Sequence, residues 1–122
     1  MSRSVRRDKA RARPGALVVL VTCPTAAAAK RLAAQVVADQ VAACVNLVPR
    51  VQSWFRWEGR VDQAREVLLL IKTTTGGFEA LRRAILKRHP YDVPEIIALP
   101  IVNGHAPYLA WIGESVARRR TP

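Results

Sequence analysis

The sequence is poor in cysteine and has no long apolar run. Its two cysteines, Cys23 and Cys44, lack a CxxC spacing and are too few for the disulfide framework of a secreted domain. The apolar run Ala16–Val21 is only about six residues long, shorter than the core of a signal peptide. No run approaches the ~18 apolar residues of a membrane span. These absences predict reduced thiols, a cytoplasmic location and no membrane partner.

Signatures of catalysis are also missing from the sequence. It has no phosphate-binding glycine loop, no nucleophile elbow and no Ser/His/Asp ordering, and Gly76-Gly77 is not followed by the Lys-Ser/Thr of a P-loop. His89 with Tyr91 or Glu95 has the composition for acid–base chemistry. Any buried polar cluster has the same composition, however, so the sequence predicts that the protein is not an enzyme.

Positive charge is in excess and is unevenly distributed. The formal net charge is +11, and Met1–Arg13 holds six basic residues against Asp8, a contribution of +5. Because residues 1–15 contain almost no apolar side chains, they are predicted to be a disordered basic tail. Basic side chains can neutralise nucleic-acid phosphates, but no nucleic-acid-binding motif follows. A solvated extension is therefore favoured, and nucleic acid is not expected as a partner.

The remaining residues, 16–118, are predicted to form one domain. Half of the chain is hydrophobic, which is enough for a core. Turn signals and apolar periodicity predict a strand at Leu17–Val21, a helix from Thr25 to about Val41, a hairpin of Cys44–Trp57 and Val61–Thr73, a helix from Phe78 to about Arg88, a strand at Glu95–Ile101 and a helix from Tyr108 to about Arg118. The order βαββαβ with an extra C-terminal helix predicts an α+β, ferredoxin-like fold, in which helices cover one face of an antiparallel sheet.

The predicted hairpin is longer than a small domain can cover. Each arm has roughly 14 residues, against 5–6 in an ordinary strand, and Pro49 indicates a bend or a bulge in the first arm. Trp54, Phe55 and Trp57 lie near the turn at Glu58-Gly59. Exposed aromatic side chains on a projecting hairpin are a liability unless another chain covers them. The sequence therefore predicts a subunit interface there; the alternative is that the tip packs on its own domain.

The segment between the second helix and the last strand concentrates polar chemistry. Pro90 ends the helix after His89, because the residue before a proline is pushed out of the α region, and Pro94 keeps the chain extended. A stiff elbow of this kind holds side chains in fixed positions. The polar or ionisable residues that it carries are His89, Tyr91, Asp92 and Glu95.

Several separate motifs occur in one order along the chain: Val41-Ala-Ala-Cys-Val-Asn46, Ser53-x-Phe-x-Trp-x-Gly59, Ile71-Lys-Thr73, His89-Pro-Tyr-x-x-Pro-Glu95, and Pro100-Ile with Tyr108-Leu-x-Trp-Ile112. Together they resemble the CutA family, the divalent-cation tolerance proteins, over about residues 16–117. The resemblance implies a cytoplasmic homotrimer of ferredoxin-like subunits that is locked together by the long hairpins. It also implies an association with tolerance to copper and other divalent metals.

Candidate metal ligands are the thiols and imidazoles that copper and zinc prefer, with carboxylates in support. Cys44, His89 and Cys23 are predicted as metal ligands, and His105 and Asp92 are further donors. Since no local pair has ligand spacing, a site needs distant segments or several subunits. Any Cu²⁺ or other divalent ion is expected to bind weakly and not to be required for folding. Structural roles remain open: Cys44 as a small core residue, and His89 as a helix-end cation or a hydrogen-bonding partner.

A second set of residues predicts a ligand cleft between subunits: Trp57, Glu66, Lys72, Tyr91 and Glu95. The argument is a fold-level analogy with the PII signalling proteins, which hold small ligands between subunits. Interface ion pairs of Lys72 and Glu95 are the alternative. The predicted function is a trimeric divalent-cation tolerance protein that binds copper or another divalent metal ion. The alternative function is a PII-like trimeric regulator that binds a small molecule or a partner protein in inter-subunit clefts.

Overall fold

Strands and helices alternate along residues 15–117, the part of the chain that this computed structural model describes. The predicted tail lies outside this part except for Gly15, as does Arg118 at the predicted end of the domain. The elements are β1 (Ala16–Cys23), α1 (Ala26–Ala38), β2 (Cys44–Trp57), β3 (Arg60–Thr74), α2 (Phe78–Arg88), β4 (Ile96–Pro100) and α3 (Ala106–Ser115). Within residues 15–117 no helix combines the length and apolarity needed to cross a membrane.

The four strands form one sheet with the order β2-β3-β1-β4, in which every pair of neighbours is antiparallel. β1 lies in the centre because its apolar run pairs with β3 on one side and with β4 on the other. The order βαββαβ followed by α3 is the predicted one. The fold is therefore α+β and ferredoxin-like, as the sequence indicates.

The first helix begins as predicted and ends earlier than predicted. The Thr25 hydroxyl caps α1 by accepting the N–H of Ala28 at 3.1 Å. The helix stops at Ala38, short of the predicted end near Val41, because Gln40 takes a left-handed conformation with φ 59°. The N–H groups of Val41 and the residue after it then donate to the Val36 carbonyl, which satisfies an orphan group at the helix end.

The core lies between α1, α2 and one face of the sheet. Odd-numbered residues of β1 and β3 point into it because side chains alternate along a strand, and apolar residues of both helices cover them. Its fully buried members include Val19, Val21, Leu69 and Ile71 from the sheet, and Val36, Leu81 and Ile85 from the helices. α3 packs at the end of the sheet, where Ile112 and Val116 contact Ala43 and Ala16.

The opposite face of the sheet is not covered by α1 or α2, and we call it the open face. Leu20 stands opposite both Leu70 and Ile97 in register, and Val18 stands opposite both Lys72 and Leu99. Register partners share a face, so these residues form a mostly apolar surface. Ile97 is 50% exposed and Leu99 is 48% exposed. A single subunit thus leaves a broad hydrophobic surface in contact with water.

The β2–β3 hairpin projects as predicted. The bulge expected at Pro49 is present as a register break between Val48 and Val51. The turn consists of Glu58 and Gly59, with φ values of 50° and 76°, which suit a tight two-residue hairpin turn. Trp54 and Trp57 are 63% and 56% exposed. Within one subunit the tip does not pack on its own domain, so the alternative weighed from the sequence is wrong for the isolated chain.

Candidate functional site

Polar side chains meet beneath the elbow that links α2 to β4. α2 ends at Arg88, and His89 adopts an extended conformation before Pro90, as the proline requires. The turn carries His89 back over the end of β1 and brings Tyr91 to β3. We call the resulting group the elbow cluster; its members are Thr22, Cys23, Glu66, His89 and Tyr91.

His89 is held through both of its ring nitrogens. Nδ1 accepts the backbone N–H of Tyr91 at 3.0 Å, so this nitrogen carries no proton. The proton of the neutral ring is therefore on Nε2, which donates to the Thr22 carbonyl at 2.7 Å. The ring is buried. In this arrangement neither nitrogen is available to a metal ion, and the hydrogen-bonding role that the sequence left open is the one observed.

Cys23 lies beside the same imidazole but is sealed from solvent. Its Sγ is 3.7 Å from His89 Nε2, and the residue is fully buried. Burial, with a smaller contribution from the negative charge of Glu66, raises the pKa of the Cys23 thiol to about 11. Metal ions bind the thiolate and not the thiol. A protonated and inaccessible thiol is a poor ligand, so Cys23 acts here as part of the core.

Glu66 and Tyr91 form the polar end of the elbow cluster. The Tyr91 hydroxyl donates to a Glu66 carboxylate oxygen at 2.8 Å. Partial burial and this hydrogen bond raise the pKa of Tyr91 to about 12, so the phenol stays protonated as a donor at neutral pH. Its ring also contacts the His89 ring, with centroids 4.9 Å apart. Two of the five residues predicted for the ligand cleft are thus brought together.

The second thiol lies elsewhere and has different neighbours. Cys44 begins β2 and stands opposite Lys72 in register, which places it at the end of the open face. Its Sγ is 3.3 Å from the hydroxyl oxygen of Tyr108 on α3, and the pair's hydrogen bond raises the pKa of Tyr108. Lys72 Nζ donates to the Asn46 side-chain carbonyl. Cys44 is partly exposed, so it is the accessible thiol of the isolated chain.

Tyr108 and Asn46 were missed as site residues by the sequence analysis. Asn46 lies two positions after Cys44 and therefore shares its face of β2, a signal that was present in the sequence. Tyr108 is 64 residues away along the chain, and no local pattern links it to Cys44. Only the packing of α3 at the end of the sheet brings the two together.

The predicted metal ligands do not converge within one subunit. Cys23 and Cys44 are in register with Val67 and Lys72 of β3, five positions apart, or roughly 16 Å along the strand. Their strands also lie on opposite sides of β3. No three residues among His, Cys, Asp and Glu within 15–117 are grouped as a metal site. One subunit alone therefore does not provide a closed site for a divalent ion.

The predicted cleft residues are also dispersed in the single subunit. Lys72 lies six positions beyond Glu66 on β3, roughly 20 Å away. Trp57 is paired with Arg60, six positions from Glu66 in the other direction. Glu95 is exposed and directly precedes Ile96, the register partner of Val21 at the elbow end of β1. A cleft that unites these residues requires more than one subunit.

Comparison with known proteins gives a consistent match over this whole fold. The family model CutA1, described as a divalent ion tolerance protein, matches residues 17–115. A divalent-cation tolerance protein CutA of Thermus thermophilus is 47% identical over 98 residues, which are 80% of this chain and 95% of that protein. Its solved structure has a TM-score of 0.82 at 45% identity and covers 84% of this chain and 99% of that chain. A rice protein named CutA 1, chloroplastic, is 43% identical over 114 residues, covering 93% of this chain and 64% of its own length.

Proposed function

Because this chain belongs to the CutA1 divalent ion tolerance family, we propose that it acts in tolerance of divalent cations as a homotrimer. In this proposal, copper or another divalent ion is held weakly, with Cys44 as the thiol ligand. The observation that carries the assignment is the position of Cys44, a partly exposed thiol at the end of the open face. Donors from a neighbouring subunit can complete a site there that one subunit leaves incomplete.

The open face and the hairpin support assembly. Half-exposed Ile97 and Leu99 extend an apolar surface that a soluble protein rarely leaves in water. The exposed Trp54 and Trp57 are of a residue type that is enriched in the centre of interfaces. A closed ring of three identical chains covers both surfaces, since each hairpin can lie against a neighbour and no edge is left unpaired. The trimer is part of the proposal.

We expect removal of the Cys44 thiol to weaken copper binding. Cys44→Ser should lower the affinity at least roughly tenfold, since a lost ligand costs no less than a lost outer-shell partner. Cys23→Ala is the matched control, because it removes a thiol that is buried and protonated. Affinity is measured by titrating each trimer with Cu²⁺ against a competing chromophoric chelator. Equal affinities in wild type and Cys44→Ser, or loss of binding only in Cys23→Ala, would contradict the proposed ligand.

A regulator that binds an anionic small molecule between subunits is the second candidate. The observation that favours it is the Lys72–Asn46 pair on the open face, a cation within an otherwise apolar surface. If this reading holds, Lys72→Ala should abolish binding of the anion, with the mass of the trimer unchanged and copper affinity intact. Loss of the trimer in the same variant would instead show that Lys72 makes an interface ion pair. The readouts are equilibrium dialysis with an anion library and light scattering.

We also propose that the protein is not an enzyme and works in the cytoplasm. The elbow cluster is internally satisfied, since His89 uses both nitrogens and Tyr91 is hydrogen-bonded to Glu66. Such groups are not poised to exchange protons with a substrate. The two thiols are unpaired, which suits a reducing compartment. Location varies among relatives, since the rice protein is named as chloroplastic.

A further inference from the structure

Both ends of the described chain lie at one place on the surface. Gly15 and Ala117 line the same groove beside α3. The residues next to them, Ala16 and Val116, pack in one apolar cluster, and the Gly15 carbonyl accepts the N–H of Thr75. Residues 1–14 and 118–122 are therefore attached to the folded domain side by side, although they are the most distant parts of the sequence.

These two segments hold most of the net charge. Residues 1–14 contain six basic residues and one acidic residue, Asp8, and residues 118–122 contain three basic residues and no acidic one. Residues 15–117 contain eleven basic and eight acidic residues, so the two segments supply eight of the eleven net positive charges. The sequence analysis weighed the N-terminal run alone. The fold adds a second run at the same point.

The kind of cation indicates the kind of anion. Eight of the nine basic residues in these segments are arginine: Arg3, Arg6, Arg7, Arg11, Arg13, Arg118, Arg119 and Arg120. The guanidinium group binds phosphate through two parallel hydrogen bonds. The same segments contain no tryptophan, phenylalanine or leucine, the residues that anchor a basic segment in a lipid interface. A phosphate backbone thus fits them better than a membrane surface.

The groove itself supplies little opposing charge. Glu114 is the one carboxylate among the residues that line it. A single carboxylate cannot neutralise two converging basic runs, so most of their charge remains available to an external partner. We propose that residues 1–14 and 118–122 together form a binding surface for the phosphate backbone of a nucleic acid, without sequence specificity. This function is separate from cation tolerance.

The salt dependence of DNA binding tests the proposal directly. The full chain should bind a 20-base-pair duplex, measured by fluorescence anisotropy, and lose roughly a thousandfold or more in affinity between ~50 and ~200 mM salt, as six to ten phosphate contacts require. Replacing Arg118, Arg119 and Arg120 by glutamine should reduce the slope of log affinity against log salt by roughly 2 to 3. Deletion of residues 1–14 should reduce it by roughly 4 to 5, at ~0.9 per contact.

A matched control separates a local surface from general attraction by net charge. Lys30→Gln, Arg31→Gln and Lys87→Gln remove the same three charges from exposed positions on α1 and α2. This variant should keep the slope of the full chain. The proposal is overturned if the control and the C-terminal variant lose the same affinity, or if no duplex is bound at ~50 mM salt. Retention on anionic phosphatidylserine vesicles without retention of DNA would overturn it as well, since the partner would be a membrane.

Discussion

Replacement of Ile97 by glutamate is expected to split the assembly into single subunits. Ile97 is half exposed in the isolated chain and stands opposite Leu20, in the middle of the open face. In the proposed trimer this position is covered, so the variant buries three carboxylates without partners. An unpaired buried charge costs about 3 kcal/mol or more at each site, which raises the dissociation constant at least about 100-fold per interface.

The chain offers a matched control for this variant on its opposite layer. Leu86 on α2 is 43% exposed, close to the 50% of Ile97, but it faces away from the open face. Leu86→Glu should leave the mass unchanged. Both variants are compared at micromolar concentration by light scattering and by sedimentation velocity. If Ile97→Glu keeps the wild-type mass, or if both variants dissociate alike, the open face is not the interface.

Assembly also bears on the binding proposals, since both depend on groups from more than one chain. A monomeric Ile97→Glu variant should still contain Cys44 and its contact with Tyr108. Weak binding of copper by that monomer would show that a single subunit holds enough ligands. Loss of binding together with loss of mass would show that the site is shared. The dissociated variant therefore separates the donors of one subunit from those of its neighbours.

Local signals in the sequence predict most of the fold. The hairpin turn at Glu58-Gly59, the bulge after Pro49 and the end of α2 before Pro90 follow from turn and proline chemistry that acts over a few residues. The end of α1 does not follow from such signals. Gln40 takes the left-handed position that glycine usually occupies, so the apolar pattern that continues to Val41 suggests a longer helix.

The candidate sites are less predictable because their contacts join distant residues. Tyr91 and Glu66 were placed in one constellation from the sequence, and their side chains are hydrogen-bonded. The acceptor of the His89 proton is the backbone carbonyl of Thr22, 67 residues away, and side-chain chemistry carries no sign of it. Composition identifies His89 and Cys23 as possible ligands. Only the packing of the elbow over β1 shows that their binding atoms are already occupied or buried.

His89 is expected to stabilise the fold and not to bind metal, and His89→Ala should show this. Its removal leaves the Thr22 carbonyl and the Tyr91 N–H without partners in a buried place, at about 1–3 kcal/mol each, and it opens a cavity beside Cys23. We expect a loss of roughly 3 kcal/mol in the free energy of unfolding. For a domain of this size the melting temperature should fall by about 10 to 20 °C.

The other histidine provides the control that decides between the two roles. His105 precedes α3, is exposed and makes no side-chain capping hydrogen bond, so His105→Ala should melt like the wild type. Unfolding in guanidinium is followed by tryptophan fluorescence, and copper affinity is measured on the folded variants. If His89→Ala keeps its stability and loses copper, His89 is a ligand and the hydrogen bonds at its two nitrogens must give way to the metal. If it loses stability and keeps copper affinity, the imidazole is a structural link between the elbow and β1.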